Sequence, residues 1–159
     1  MVSPGKGIKD SLCPKNDCKL STVYHGHYVI PGNPVPLKRP RFGNKQVWDS
    51  QRQLRVNTGI YLHSQHEGRP LFKGPLQLEC FFYIGVPASY SQKRRDKVLG
   101  TPHIYKPDLS NLIKLIEDIG TGILYHDDAL IYSLQAFKLY DQEGRTEFIL
   151  QEIPDPSHV

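Results

Sequence analysis

The sequence predicts an α+β fold, with one small domain in which a mixed sheet of about four to five strands packs against two main helices. Short segments with apolar residues at every second position alternate along the chain with two longer segments in which apolar residues recur every three to four positions. The length of 159 residues suits one domain with its own core. No internal repeat is present, and no apolar run is long enough to cross a membrane.

The first half of the chain contains two strand patterns and one helix pattern. Weak alternation over 21–31 predicts the first strand, and the prolines and glycines of 32–49 predict an extended, irregular loop. Residues 50–67 predict a helix with Ser50 as its N-cap. Residues 74–87 alternate between apolar and other side chains, which predicts a strand with one buried face.

The second half continues with a loop, a helix and two strands. Residues 88–107 are too polar and charged for a core element, so they predict a long loop of the kind that is functional or disordered. Residues 108–120 predict the second main helix. The strand patterns 129–141 and 145–153 are joined by Gln-Glu-Gly, which predicts a hairpin.

The two ends of the chain predict no stable structure. Residues 1–20 are rich in Lys, Pro, Gly and Ser without periodicity, which predicts a flexible leader before a domain over 21–153. Residues 154–159 predict a disordered tail. The leader lacks the apolar centre of a signal peptide, and three cysteines without framework spacing are typical of a reducing compartment. We therefore expect a cytoplasmic protein.

Charge is divided unevenly along the chain. Residues 1–107 contain 17 Lys and Arg against 6 Asp and Glu, whereas residues 108–159 contain 3 against 10. The fold could interleave the two halves so that this asymmetry averages out. Otherwise, it favours a surface that binds a polyanion beside a site that needs negative charge.

The helix predicted over 108–120 has two different faces. Five apolar residues recur at helical spacing and form one stripe: Leu109, Leu112, Ile113, Ile116 and Ile119. Ser110, Lys114 and Glu117 lie on another face, and the acidic pair Asp127 and Asp128 follows where the next strand begins. Carboxylates from two elements therefore converge near a lysine.

Two interpretations of these carboxylates stay open. In the structural one, Asp108 caps the helix, Lys114 pairs with Asp118, and the acidic pair Asp127 and Asp128 forms a turn. In the functional one, the carboxylates hold Mg²⁺ against a phosphodiester while the lysine stabilises charge that develops on the phosphate. The combination of residues within a basic chain favours the second interpretation.

The segment KPDLSNLIKLIEDIGTGILYHDD over 106–128 resembles the signature of the RusA-type Holliday junction resolvases. That signature usually reads Asp-x-Asp-Asn-Leu-x-Lys, followed by a helix and then an Asp-Asp pair. The likeness is strongest over 106–135 and extends more loosely over 23–153. It implies a small α+β homodimer that binds four-way DNA junctions and makes paired nicks with Mg²⁺, for which Mn²⁺ can substitute.

The resemblance assigns roles to individual residues. It implies Asp108, Lys114 and Asp128 as catalytic residues, with Asp108, Asp127 and Asp128 as metal ligands. Four further residues are auxiliary candidates: Ser110, Asn111, Glu117 and Asp118.

Ser110 departs from the pattern, because the family usually has a carboxylate there and a serine hydroxyl is a weak, neutral ligand for Mg²⁺. Asp127 or Glu117 could supply the missing charge, or a water held by Ser110 could bridge to the metal. Alternatively, the site is too weak to cut and leaves a protein that only binds junctions. We favour retained activity, since one or two carboxylates suffice for Mg²⁺.

Two basic segments are candidates for contacts to DNA phosphates, which position the DNA without reading its sequence. Their residues are Lys38, Arg39 and Arg41 in the first predicted loop and Lys93, Arg94, Arg95 and Lys97 in the second. The alternative for either segment is an ordinary solvated charge run.

Other motifs are weaker. Cys13, Cys18, His25 and His27 have poor spacing for structural zinc, and Cys80 is expected in the core. The sequence therefore predicts a junction-resolving endonuclease. The alternatives are a junction-binding module without catalysis and a metal-dependent nuclease for flap or single-stranded DNA.

Overall fold

The computed structural model describes residues 24–38, 41–43 and 46–154, with only the backbone described for 41–43 and 46–48. Its elements, in chain order, are β1 (His25–Pro31), β2 (Arg41–Gly43), β3 (Gln46–Trp48), α1 (Arg52–His66), β4 (Leu76–Gly85), α2 (Gln92–Val98), α3 (Leu109–Gly120), a 3₁₀ turn (Asp128–Leu130), β5 (Ile131–Asp141) and β6 (Arg145–Glu152). This order confirms the predicted α+β class. The predicted leader 1–20 and the tail beyond residue 154 lie outside the described residues.

Four strands form one mixed sheet in the spatial order β1-β6-β4-β5. β4 pairs with β5 in parallel and with β6 in antiparallel orientation, and β1 pairs with β6 in antiparallel orientation. β2 and β3 form a separate two-stranded sheet. The prediction of a mixed sheet of about four to five strands is therefore confirmed, with four strands in the sheet.

The predicted hairpin between the last two strands is wrong, because β4 lies between β5 and β6. The chain leaves β5 at Asp141 and crosses the end of β4 at Gly85 before β6 begins at Arg145. β4 is the strand with the most completely buried face, since Leu76, Leu78, Cys80 and Phe82 are at most 1% exposed. A strand with such a buried face is most stable in the middle of the sheet. The residues of the turn between β5 and β6 carry no information about this position.

Both long loops predicted from the sequence contain regular structure. The loop 32–49 includes the short antiparallel strands β2 and β3. The loop 88–107 includes α2, a seven-residue helix without a buried residue. A short helix without a buried face has no apolar periodicity, so the pattern could not reveal it.

The core lies between one face of the sheet and helices α1 and α3. Tyr28, Leu62, Phe82, Leu112 and Phe148 are among its fully buried side chains. The free Cys80 also lies in this core, as predicted.

The middle of helix α1 packs against the turn that follows α3. The helix begins after Gln51 rather than after the predicted Ser50. A Cβ atom at Gly59 would lie 3.0 Å from Cδ1 of Ile123, so the glycine that weakens the helix pattern allows this close packing. Across the described residues, none of the helices has the length and apolar character needed to span a membrane.

Gly144 lies where the chain crosses the end of β4. A Cβ atom there would lie 2.7 Å from the Cα of Asn33, whose side-chain oxygen accepts a 2.9 Å hydrogen bond from Gly85 N. We expect Gly144→Ala to lower the free energy of unfolding by about 1–3 kcal/mol, as overpacking does. Urea unfolding measures it, with the exposed neighbour Gln142→Ala as a control that stays within about 0.5 kcal/mol. Equal stability of the two variants would contradict this packing.

Candidate active site

Helix α3 is oriented by its buried apolar face, which contains Leu115 in addition to residues of the predicted stripe. Leu112, Leu115, Ile116 and Ile119 are at most 5% exposed, and Leu109 and Ile113 pack against the core from its border. The polar face predicted from the sequence is therefore turned away from the core. Ser110 and Lys114 are exposed, and Glu117 is half-buried.

Asp108 occupies the N-cap position of α3, as predicted. Its backbone carbonyl accepts hydrogen bonds from the amides of Asn111 at 3.1 Å and Leu112 at 3.2 Å. Its side chain is exposed and makes no capping hydrogen bond with any part of the chain that the structure describes. The carboxylate is therefore not used to cap the helix.

Lys138 of β5 fixes the backbone that leads into Asp108. Its ammonium group donates hydrogen bonds to the carbonyl of Tyr105 at 2.5 Å and to the carbonyl of Pro107 at 2.6 Å. Hydrogen bonds from a charged donor are stronger than those between neutral groups. The edge strand thus holds the start of the candidate catalytic helix.

The other end of α3 is closed by a tight turn that returns the chain to the helix. Gly122 N donates to the Tyr125 carbonyl at 2.7 Å, and the buried Tyr125 hydroxyl donates to the Glu117 carbonyl at 3.1 Å. A Cβ atom at Gly120 would lie 2.5 Å from the Tyr125 hydroxyl oxygen, so glycine leaves room for this ring. The 3₁₀ turn with Asp128 follows directly and contacts α3.

Asp128 lies in the 3₁₀ turn that contacts α3, and its charge acts on Glu117 of that helix. Burial raises the pKa of Glu117, the negative charges of Asp128 and Asp118 raise it further, and the positive charge of Lys114 lowers it. Burial also raises the pKa of Tyr125, and Glu117 and Asp128 add to that shift. The turn that carries Asp128 thus packs against α3, and the charges of Asp128 and Lys114 both act on Glu117. Asp108 lies nine residues before Glu117, about 13 Å away along the helix axis.

The remaining acidic candidates have structural partners. Asp118 lies 3.6 Å from the guanidinium of Arg55, so among the described residues its ion pair is with Arg55 rather than with Lys114. Asp127 accepts a 2.8 Å hydrogen bond from Ala129 N and caps the 3₁₀ turn. One Asp127 oxygen is therefore already engaged.

These carboxylates form at most a partial metal site. Within the described ranges, no group of three or more His, Cys, Asp or Glu side chains is arranged to hold a metal ion. Mg²⁺ commonly uses only one or two carboxylates and completes its octahedron with waters and phosphate oxygens. Glu117 and Asp128 are oxygen donors whose negative charges repel each other, and a hard divalent cation is the kind of ligand that offsets such repulsion.

The segment before β2 is attached to both main helices. Gln51, which is 4% exposed, accepts from Lys38 N at 2.7 Å and donates to the Pro36 carbonyl at 2.9 Å. Leu37 N donates to the Asn111 carbonyl of α3 at 2.8 Å. Lys38 is thus exposed beside α3, while Arg39 and the side chain of Arg41 lie outside the described residues.

Helix α2 presents the second basic segment. Lys93, Arg94 and Lys97 are exposed, and the Arg94 guanidinium lies 3.7 Å from the centre of the Tyr90 ring. Arg95 instead donates to the carbonyls of Tyr90 at 3.1 Å and Pro87 at 3.2 Å, so it stabilises its own loop. The predicted cations therefore lie on a helix rather than on an irregular loop.

The histidines considered for zinc lie on β1. His25 and His27 are exposed, and His27 Nε2 lies 3.7 Å from a carboxylate oxygen of Glu147. Cys13 and Cys18 lie outside the described residues.

Sequence reasoning missed Lys138 as part of this region. The strand pattern does contain a signal for it, because Leu134, Ala136, Lys138 and Tyr140 alternate on one face of β5. A lysine on the face that packs toward the helices needs hydrogen-bond acceptors, and the carbonyls of the preceding loop supply them.

Comparison with known proteins identifies the family. Residues 31–151 match the model of the family described as endodeoxyribonuclease RusA. The chain is also similar to the uncharacterized protein YqaN of Bacillus subtilis (strain 168), with 27% identity over 146 residues, covering 86% of this chain and 98% of the relative. Since the family model spans most of its length, this chain belongs to the RusA endodeoxyribonuclease family.

Removal of the Lys138 ammonium group tests whether its hydrogen bonds stabilise the loop before Asp108. Lys138→Met should lower the free energy of unfolding by about 1.5–3 kcal/mol, because two hydrogen bonds from a charged donor are lost. Hydrogen exchange should accelerate in residues 104–112 and stay unchanged in β4 and β6. The exposed Lys73→Met is the matched control. Uniformly faster exchange across all strands would contradict a local role.

Glu117 gives an expected dependence of stability on pH. Since its pKa is raised in the folded protein, its ionisation destabilises the fold as pH increases. Glu117→Gln should therefore stabilise the metal-free protein at pH 8, and the gain should disappear as pH falls below about 4, near the ordinary glutamate pKa.

Urea unfolding at both pH values measures this difference in stability. Glu143→Gln, an exposed carboxylate between β5 and β6, should change little at either pH. A Glu117→Gln protein less stable than wild type at both pH values would show that the carboxylate has a stabilising partner.

Proposed function

We propose that this protein is a Mg²⁺-dependent, structure-specific endodeoxyribonuclease that resolves four-way (Holliday) DNA junctions by paired phosphodiester nicks. Membership of the RusA endodeoxyribonuclease family supports the class of reaction. The observation that carries the proposal is the packing against α3 of the 3₁₀ turn that contains Asp128, where the charges of Asp128 and Lys114 both act on Glu117. A basic chain that concentrates carboxylates there suits a phosphodiester substrate.

Each residue of the proposed site has one task. The family resemblance assigns Asp108 and Asp128 to the divalent ion, Mg²⁺ or Mn²⁺ in its place. Asp128 would hold the ion beside Glu117, and Asp108, about 13 Å from Glu117 along the helix axis, would act from the start of α3. Asp127 would assist with the oxygen that does not cap the 3₁₀ turn. When bound, the ion supplies water activation and neutralises phosphate charge. Lys114, exposed on the same face, stabilises the charge that develops on the scissile phosphate.

Glu117 is the best replacement for the carboxylate that Ser110 lacks. The charge of Asp128 raises the pKa of Glu117, whereas one oxygen of Asp127 is engaged with Ala129 N. Ser110 lies one helical turn before Lys114, so its hydroxyl faces the same side of α3 and can hold a water there. The backbone carbonyl of Asn111 accepts a hydrogen bond from the backbone amide of Leu37, so Asn111 helps to position that segment.

The basic residues hold the DNA around this site. Lys38 is anchored beside α3 through Gln51, and α2 presents Lys93, Arg94 and Lys97. Arg39, Arg41 and Arg95 are assigned to the same task. Such contacts to phosphates fix the orientation of the DNA and carry no sequence information.

Paired nicks on a junction with two-fold symmetry require two symmetric sites, so we propose a homodimer. The cytoplasmic location expected from the cysteines stays a prediction, as do the leader and the tail.

A second candidate is a junction-binding module without catalysis. Two observations favour it: Ser110 stands where the family usually has a carboxylate, and the described residues contain no three-carboxylate cluster. The same fold and the same cations would then serve binding alone.

Cleavage of a labelled synthetic four-way junction tests the proposed function. Wild-type protein with Mg²⁺ should make symmetric nicks. Asp128→Asn should cut about 100-fold more slowly or not at all, since loss of even an outer partner of a metal site costs about 10–100-fold. Junction binding, measured by gel shift without divalent ions, should be preserved. Glu67→Gln, which removes an exposed carboxylate at the end of α1, is the matched control.

Three outcomes separate the candidates. Cutting by wild type and by Glu67→Gln, with loss in Asp128→Asn, supports the nuclease. Tight binding with no cutting by any protein supports the binding module, and Ser110→Asp should then restore cleavage. Cutting of flaps or single strands in preference to junctions would overturn the proposed substrate.

A further inference from the structure

The loop between α2 and α3 presents two large apolar side chains to solvent. Ile104 is 80% exposed, the highest value among the exposed large hydrophobic residues of the described chain, and Tyr105 is 64% exposed. Isolated exposed apolar residues are ordinary on protein surfaces. These two are adjacent, and they lie three and four residues before Asp108.

The backbone of this loop is held on both sides of the pair. His103 N donates to the Lys138 carbonyl at 2.9 Å, and the Lys138 ammonium donates to the carbonyls of Tyr105 and Pro107. The His103 ring is 9% exposed and packs on Tyr140 with ring centres 4.6 Å apart. It also meets the Tyr105 ring edge-on at 5.9 Å. The apolar pair is therefore presented on a fixed loop.

Exposed cations lie on both sides of the pair along the chain. Lys106 is the next residue, and the preceding helix α2 carries Lys93, Arg94 and Lys97 against one exposed carboxylate, Asp96. An apolar partner protein or a second copy of this chain gains little from such a border of positive charge. A polyanion with exposed bases matches both the charge and the apolar surface.

We propose that Ile104 and Tyr105 form a base-contacting element that inserts into unstacked bases at the branch point of the DNA. This inference rests on the proposed function and adds how the protein selects branched DNA over uninterrupted duplex. Apolar side chains inserted at a base step unstack the bases, and opened bases stack on aromatic rings. A branch point offers bases whose stacking is already interrupted, so insertion is less costly there than within a duplex.

The selectivity follows from this difference in cost. Because the loop is already fixed by Lys138, little conformational entropy is lost when the pair enters the DNA. Correct insertion would also place the scissile phosphate at Asp108, since only a few fixed residues separate the two. Binding at a branch and alignment for cutting would therefore depend on the same two side chains.

Fluorescence of 2-aminopurine placed at the branch point of a synthetic junction tests the proposal. In a buffer without divalent ions, wild-type protein should raise the fluorescence as the base unstacks. Ile104→Ala/Tyr105→Ala should remove most of this rise and slow junction cutting with Mg²⁺ about tenfold. Affinity for uninterrupted duplex should stay unchanged, and Tyr105→Phe should behave as wild type.

Ile60→Ala is the matched control, because Ile60 is 64% exposed on α1. It should leave both fluorescence and cutting unchanged. Double-variant protein that unstacks the base and cuts as wild type overturns the base contact while leaving the proposed function standing. Wild-type protein that neither binds nor cuts the junction overturns both. Sedimentation that shows a dimer in wild type and a monomer in the double variant would assign the pair to a self-interface and overturn the proposal.

Discussion

Leu112, Leu115, Ile116 and Ile119 bury one face of α3 against the sheet, and the direction of the polar side chains on that helix depends on this contact. Burial of each such side chain contributes about 1.5–3 kcal/mol. Turning the helix by a single residue would carry part of this stripe into water, so the rotation of α3 is fixed. Because the apolar face is stable only when it is buried, Ser110, Lys114 and Glu117 must project from another side of the helix.

Strand β5 holds the chain segments at both ends of α3. The segment before the helix pairs along the outer edge of β5, where Gly100 N donates to Tyr140 and Tyr140 N donates to Thr101. This cover also satisfies backbone groups that an edge strand would otherwise leave open. The 3₁₀ turn with Asp128 leads directly into the same strand. One strand therefore places Asp108 through Lys138 and Asp128 through chain connectivity.

The sequence predicted the parts of the fold that depend on local pattern. The stripe of α3 and the buried face of β4 were evident because each buries one side against a continuous core. The position of β4 between β5 and β6 was not, since it depends on burial across the whole sheet. Helix α2 has no buried side and hence no periodicity. At the candidate site, the residue types and the family resemblance predicted roles for Asp128 and Lys114, and these roles stay predictions. The effect of Asp128 on Glu117 was not predicted, because it depends on the turn that Tyr125 closes.

A purely structural role accounts for two of the acidic residues near α3, but not for the half-buried Glu117. Asp118 has Arg55, and Asp127 has the amide of Ala129. Glu117 is different, because burial and the charge of Asp128 both oppose its ionisation. A group that reduces stability at neutral pH is retained more readily where a ligand offsets the cost. A divalent cation would reverse the electrostatics around Glu117 and Asp128, which is the reason for proposing Glu117 in place of the carboxylate absent at Ser110.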